Sequence, residues 1–396
     1  MLSMIGAAEA RQLVLEHACP REAALVASGE SLGLILARAV VADRDYPPFD
    51  RATMDGFAVR VSHAGRTVAI RGEARPGIAP SHDPDEDGCV EIMTGSPCPS
   101  GTEAVVMKEE VRRDGLGAAF PGRIAMGQNI VRAGAECRAG DVVLPEGASV
   151  TPLALGLLAA VGAARVSVRA RPSLALLVTG DELVPAGARP GDVEIRDSNG
   201  PMLSAMAGAS GLANPARFSV RDTPEALAAA LEASSSADVV VLTGGVSAGN
   251  YDLVPAALLA YGATIVFHKV RQQPGKPILF AVKGSRLFFG LPGTPLGCHL
   301  GFHRYVIPAA RSLAGLSLVP PAEGRLVAAW STRSDRQQFL LARVEPRGGV
   351  WETTVSPPRG SSDLFTAWNA NAYVEVPEGT RELAAGAAVV FERLAS

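Results

Sequence analysis

DVVVLTGGVSAGNYDLVP, residues 238–255, is the stretch on which the fold turns. Its first part, VVVL at 239–242, is a short apolar run rich in β-branched residues, the mark of a strand buried on both faces. Gly244 and Gly245 then permit a turn closed to most side chains. Ser247 follows, and a helix is expected from Asp252 or Leu253, with Pro255 suited to its first turn. Strand, glycine turn and helix start place bare backbone N–H groups at the carboxyl edge of a parallel sheet, where an anion is favoured. A plain βα connection would carry the same residues, so the stretch needs company before it counts as a site.

Working outward, the company is there. SLALLV (173–178), ATIVFHKV (263–270), PILFAV (277–282) and RLFFGL (286–291) read as further strands. Helices are expected around 201–209, from Thr223-Pro224 through 233, and over 295–313. Strands alternating with helices predict a parallel, doubly wound α/β sheet. On its amino-terminal side, residues 57–132 alternate short β-like runs with Gly and Pro, as a small β domain does. Residues 3–17 and 31–40 read as helices, and Thr151-Pro152 opens another. Beyond Pro320-Pro321 the helical pattern gives way to strand-like runs closing the chain.

A net charge of −3 supplies no basic field for nucleic acid or anionic membrane. No uncharged apolar run reaches bilayer length, and Glu9, Arg11 and Glu16 interrupt any leader-like start. Five scattered cysteines without a CxxC pair are expected to be reduced, in a cytoplasmic protein.

Ligands of open α/β sheets bind at the carboxyl ends of strands. Four glycine-bearing loops fall there: TGDEL (179–183), TGGVSAGNYD (243–252), QQPGKP (272–277) and LPGTP (291–295). They offer Asp181, Glu182 and Asp252, the cation of Lys276, and free amides. Carboxylates facing an anion repel it unless a cation lies between, and such oxygen ligands suit Mg²⁺ shared with a phosphate or oxyanion. GVSAG (245–249) matches the G-x-S-x-G nucleophile elbow, but the only acid between Ser247 and the downstream histidines His268, His299 and His303 is Asp252, too local for a triad. His299 and His303 stand four apart in HLGFH, without a glutamate or a third ligand for zinc, and are expected to be packed or exposed histidines rather than zinc ligands. No Walker A or GxGxxG loop occurs.

Taken together, PPFDRATMDGFAVR (47–60), EIMTGSPCPSGTEAVVMKEE (91–110), TGDEL, RDSNG (196–200), TGGVSAGNYD, PGKP and LPG resemble, in order and spacing, the motifs of the MoeA/gephyrin E-domain family, the molybdopterin molybdenumtransferases. The resemblance covers nearly the whole chain. It implies a split helical domain (1–45 and 136–170), an inserted β domain (46–135), a MogA-like doubly wound α/β domain (171–318) and a C-terminal β barrel (319–396). It further implies a homodimer with an active site shared between subunits, and protein partners such as a MogA-like protein and molybdoenzymes. The implied reaction inserts molybdenum from molybdate into adenylylated molybdopterin with release of AMP, assisted by Mg²⁺.

Carried over by motif, Asp55 and Thr94 would serve the partner's site, with Glu182 and Asp252 as further catalytic residues. Glu182, Asp222 and Asp252 would hold metal. Thr179, Gly180, Asp181, Gly244, Gly245, Ser247, Lys276, Pro292 and Gly293 would bind the substrate. The chain departs from the family at Gln273, where lysine is usual, at Thr294 for asparagine and at Gly297 for serine. Arg51, Ala52 and Phe57 depart within the first signature. Arg271 or Lys269 is expected to replace the missing cation. The rival reading is a MoeA-like paralogue that binds and delivers finished cofactor without inserting metal. A third is hydrolysis of another nucleotide-linked substrate.

Overall fold

The computed structural model describes residues 2–246 and 253–395 and divides into two compact units, one of residues 25–32 and 36–167, the other comprising the rest. The second unit is built on a seven-stranded sheet. In chain order its elements are β1 (Leu2–Ile5), α1 (Ala7–His17), β2 (Leu174–Thr179), α2 (Asn199–Ala209), β3 (Ala216–Val220), α3 (Pro224–Ala233), β4 (Val239–Thr243), α4 (Leu253–Ala260), β5 (Thr264–Val270), β6 (Leu279–Lys283) and β7 (Arg286–Leu291). The sheet order is β1-β5-β6-β7-β4-β2-β3. Helix α5 (Pro295–Gly301) continues through a π-turn (Phe302–Val306) into α6 (Ile307–Leu313).

Strand β4 is buried at all five positions, as its unbroken apolar run requires. Val239 and Val241 join α1, α2 and the 295–313 helices in one core. Val240 and Leu242 join α3 and α4 in the other. Thr223 caps α3 through its hydroxyl, which accepts from Ala226 N–H at 3.2 Å, with Pro224 in the first turn.

Two expectations change. The sheet is mixed, because β6 runs antiparallel to both β5 and β7. Lys283 pairs with Arg286 across a two-residue turn in which Gly284 takes φ +60°, a hairpin connection that returns the chain at once. Residues 2–5 form a strand pairing with β5, so the first helix begins only at Ala7, after Gly6.

The carboxyl-terminal strands are β8 (Ala322–Leu326), β9 (Gln337–Arg347), β10 (Val350–Val355), β11 (Ala372–Val376) and β12 (Ala388–Arg393). They hydrogen-bond in the order β9-β10-β8-β12-β11, and β11 pairs back to β9, closing a five-stranded barrel around Leu326, Val344, Val374 and Phe391. Gln272 and Gln273 extend the barrel by pairing with Gln337 and Gln338.

The first unit holds a six-stranded sheet with both faces packed: Phe57, Val59 and Val106 on one side, Ala58, Val90 and Ile92 on the other. Thr151 caps its helix Pro152–Ala160 as expected. Residues 31–40 are not helical. Gly33 turns at φ +74°, and Leu36 exchanges backbone hydrogen bonds with Gly147 and Ala148 as a short strand. Among the described residues no helix is long and apolar enough to cross a membrane.

Candidate active site

The carboxyl ends of β2, β3, β4 and β7 are stitched into one rim. Thr179 Oγ1 donates to Thr243 O at 2.9 Å, Gly244 N–H to Leu291 O at 3.0 Å, and Gly180 N–H to Val220 O at 3.3 Å. Gly244 sits at φ +94°, and a Cβ there would lie 2.7 Å from Thr179 Oγ1. Only glycine permits so close a passage.

One flank of the rim is acidic. Asp222 N–H donates to Asp181 Oδ1 at 3.4 Å. Burial raises the Asp222 pKa from its ordinary value; the Thr179 hydroxyl works against the rise, while the charges of Asp181 and Glu182 add to it. The Glu182 carboxylate folds back over Gly180, its Oε2 2.8 Å from where a Cβ would stand. Thr179, Gly180, Asp181, Glu182 and Asp222 are thus brought together. Ser247 and Asp252 lie outside the described residues. Among the described residues no three His, Cys, Asp or Glu side chains converge as a ready metal site. The donor chemistry nevertheless fits a hard cation: all-oxygen, anionic, and with one carboxylate whose ionisation its neighbours oppose.

The other flank is a cavity of about 670 Å³. Gly245, Pro292 and Gly293 form its rim side, and Lys276, Arg336 and Trp330 are among the side chains that line it. Neither Glu182 nor Asp222 lines it, so the acids and the lysine offered by the four loops occupy two stations, not one. Among the described residues neither Lys276 nor Arg336 forms an ion pair with another side chain. Gln273 lines the same cavity. The cation facing it from the barrel side is Arg336, not Arg271 or Lys269: Arg271 is engaged with Glu378 at 3.3 Å and with Met4 O, and Lys269 is absent from the lining. Arg336 was illegible because only the pairing of Gln272–Gln273 with β9 brings that end of the barrel to the loop.

A further residue the sequence reading passed over is Asn199, in RDSNG. It is 7% exposed, and its amide nitrogen donates to Gly293 O at 2.8 Å. Among the described residues its Oδ1 and the Oγ1 of Thr243 are buried without a partner, at a cost of about 1–3 kcal/mol each.

In the other compact unit, Asp55 and Thr94 meet directly. Thr94 N–H and Oγ1 donate to Asp55 Oδ1 at 2.8 and 2.7 Å, and Lys108 Nζ approaches Oδ2 at 3.3 Å. These donors, the Thr94 backbone first, hold the Asp55 pKa down to about 2. Lys108 lies within the second signature but was not singled out. His299 and His303 are each held by a neighbouring side chain. His299 shares a hydrogen bond with the Tyr373 hydroxyl at 2.8 Å, and burial drives its pKa down to about 4. His303 Nε2 lies 3.4 Å from Glu392.

Three family models match: the MoeA N-terminal region (domain I and II) over 5–162, a probable molybdopterin binding domain over 175–312, and the MoeA C-terminal region (domain IV) over 323–394. The chain is 33% identical over 390 residues to the molybdopterin molybdenumtransferase of Staphylococcus aureus strain Mu50, covering 96% of this chain and 93% of that one. The Staphylococcus epidermidis ATCC 35984 protein of the same name is 31% identical over 371 residues, covering 90% and 88%. A crystal structure of a molybdopterin biosynthesis MoeA protein from Pyrococcus horikoshii superposes with a TM-score of 0.86 at 27% identity, covering 99% of this chain and 100% of that one. Matched end to end by these models and relatives, the chain belongs to the MoeA family of molybdopterin molybdenumtransferases.

Proposed function

We propose that this enzyme transfers molybdenum from molybdate into adenylylated molybdopterin and releases AMP. The observation that carries the reading is the rim itself: an acidic flank and a cationic cavity on either side of the same two glycine turns. Lys276 and Arg336 would hold the molybdate oxygens, with backbone amides of the turns supplying further donors. Asp181, Glu182 and Asp222, together with Asp252, would hold a divalent cation such as Mg²⁺, whose charge offsets that of the phosphates. Ser247 would complete the anion's cradle.

In this reading the working divisions are 1–45 with 136–170, 46–135, 171–318 and 319–396, and the enzyme acts in the cytoplasm as a homodimer. The Asp55–Thr94 pair of one subunit would serve the rim of the other. A MogA-like protein would supply the adenylylated substrate and molybdoenzymes would take the product. The test is AMP release by purified protein given adenylylated molybdopterin and Mg²⁺. Release that requires molybdate supports the reading; release indifferent to molybdate refutes it. Gln273, which puts a neutral amide into the cavity, favours a second reading in which the protein binds and delivers finished cofactor. That reading predicts tight pterin binding with no AMP.

A further inference from the structure

Asn199 Oδ1 and Thr243 Oγ1, without a partner among the described residues, belong to neither charged flank. Buried polar groups are nearly always hydrogen-bonded, so each exception calls for a reason, and a bound ligand is one such reason. Which atom is left over matters. The Asn199 nitrogen is spent on Gly293 O, so the free atom is an acceptor. The first turn of α2 is also supplied already, because Gly200 N–H donates to Asp197 Oδ1 at 2.8 Å. An anion arriving there would meet a carboxylate, not bare amides. Thr243 alternates with Val239 and Val241, so its side chain points to the sheet face that packs α2 through Leu203 and Ala207. Thr179, which serves Asp222, alternates with Leu177 onto the opposite face. The two glycine turns lie between, without side chains.

We infer that Asn199 is a specificity-determining residue: its Oδ1 accepts a hydrogen bond from a ring N–H or amino group of the substrate's planar heterocycle, and the Thr243 hydroxyl points to the same sheet face. The inference rests on the molybdenum-transfer reading for the substrate. That substrate carries two such heterocycles, the pterin and the adenine, and the test separates them.

Titration calorimetry with AMP, with molybdopterin and with molybdate is run on wild type, Asn199→Ala and Asn199→Ser. The serine variant keeps a small polar group toward Gly293 in case alanine fails to fold. The expected result is about a tenfold loss of affinity for one heterocycle, with the molybdate Kd within twofold of wild type. Loss confined to molybdopterin assigns the contact to the pterin, and loss confined to AMP assigns it to the adenine. Unchanged affinity for both, or a matching loss for molybdate as expected of a loop that has merely slackened, overturns the inference. Failure of the wild type to bind either heterocycle would overturn the molybdenum-transfer reading with it.

Discussion

Thr94 grips a single oxygen of Asp55 twice, from its backbone N–H at 2.8 Å and its hydroxyl at 2.7 Å, and leaves the other oxygen facing Lys108. The carboxylate is oriented and kept ionised while remaining open to solvent. Removing the hydroxyl in Thr94→Val should let the Asp55 pKa climb from about 2 toward its ordinary 3.8. Because the folded pKa is depressed, the linked stabilisation is present above the unfolded pKa and is lost as pH falls through the folded one. The variant should therefore lose it at higher pH than wild type. Carboxyl-carbon NMR titration of Asp55 checks this, and an unmoved midpoint would show the hydroxyl to be a bystander.

Gly244→Ala should abolish turnover and cost about 1–3 kcal/mol of stability through backbone strain. Its φ of +94° and the 2.7 Å approach to Thr179 Oγ1 leave no room for a methyl group. Denaturant unfolding and the AMP assay read the two effects separately.

The legible parts of this molecule were those decided locally. The apolar run of β4 and the threonine caps at Thr151 and Thr223 appear where their residues put them. Residues 31–40 misled because apolar spacing suits a helix, whereas Gly33 and the distant Gly147–Ala148 segment make them extended. Strand β6 ran the other way because a two-residue turn overrides the α/β alternation. The rim residues were found from glycine loops at strand ends. Arg336 and Asn199 were not, since a long-range pairing and a side-chain bond to Gly293 place them.

Charge in the cavity should govern molybdate. Lys276→Ala and Arg336→Ala should each raise the KM for molybdate about tenfold, the loss of one charge-assisted contact. Gln273→Lys should lower it by adding a cation to the same wall. Steady-state kinetics at varied molybdate decides, and a Gln273→Lys variant with weaker binding would mean the anion sits elsewhere.

Glu392 should matter for folding alone. Burial favours its neutral form, but the hydrogen bond to His303 and the charges of Arg304 and Arg11 prevail and set its pKa to about 2. Glu392→Gln leaves Arg304, whose side chain is 4% exposed, with Glu375 at 3.7 Å in place of its 2.9 Å ionic partner, and should cost about 1–3 kcal/mol. With a depressed folded pKa, the wild-type contribution persists at neutral pH and disappears only as pH falls toward 2. The gap in unfolding free energy between wild type and variant should therefore be full at pH 7 and narrow on acidification. A gap that widens in acid would contradict this assignment.

The most direct test of the central claim counts AMP released against molybdenum retained on the pterin in a single turnover with molybdate and Mg²⁺. One AMP for each molybdenum incorporated, with neither product when molybdate is withheld, is the predicted result. AMP formed without incorporation, or pterin held with no AMP formed at all, would contradict it.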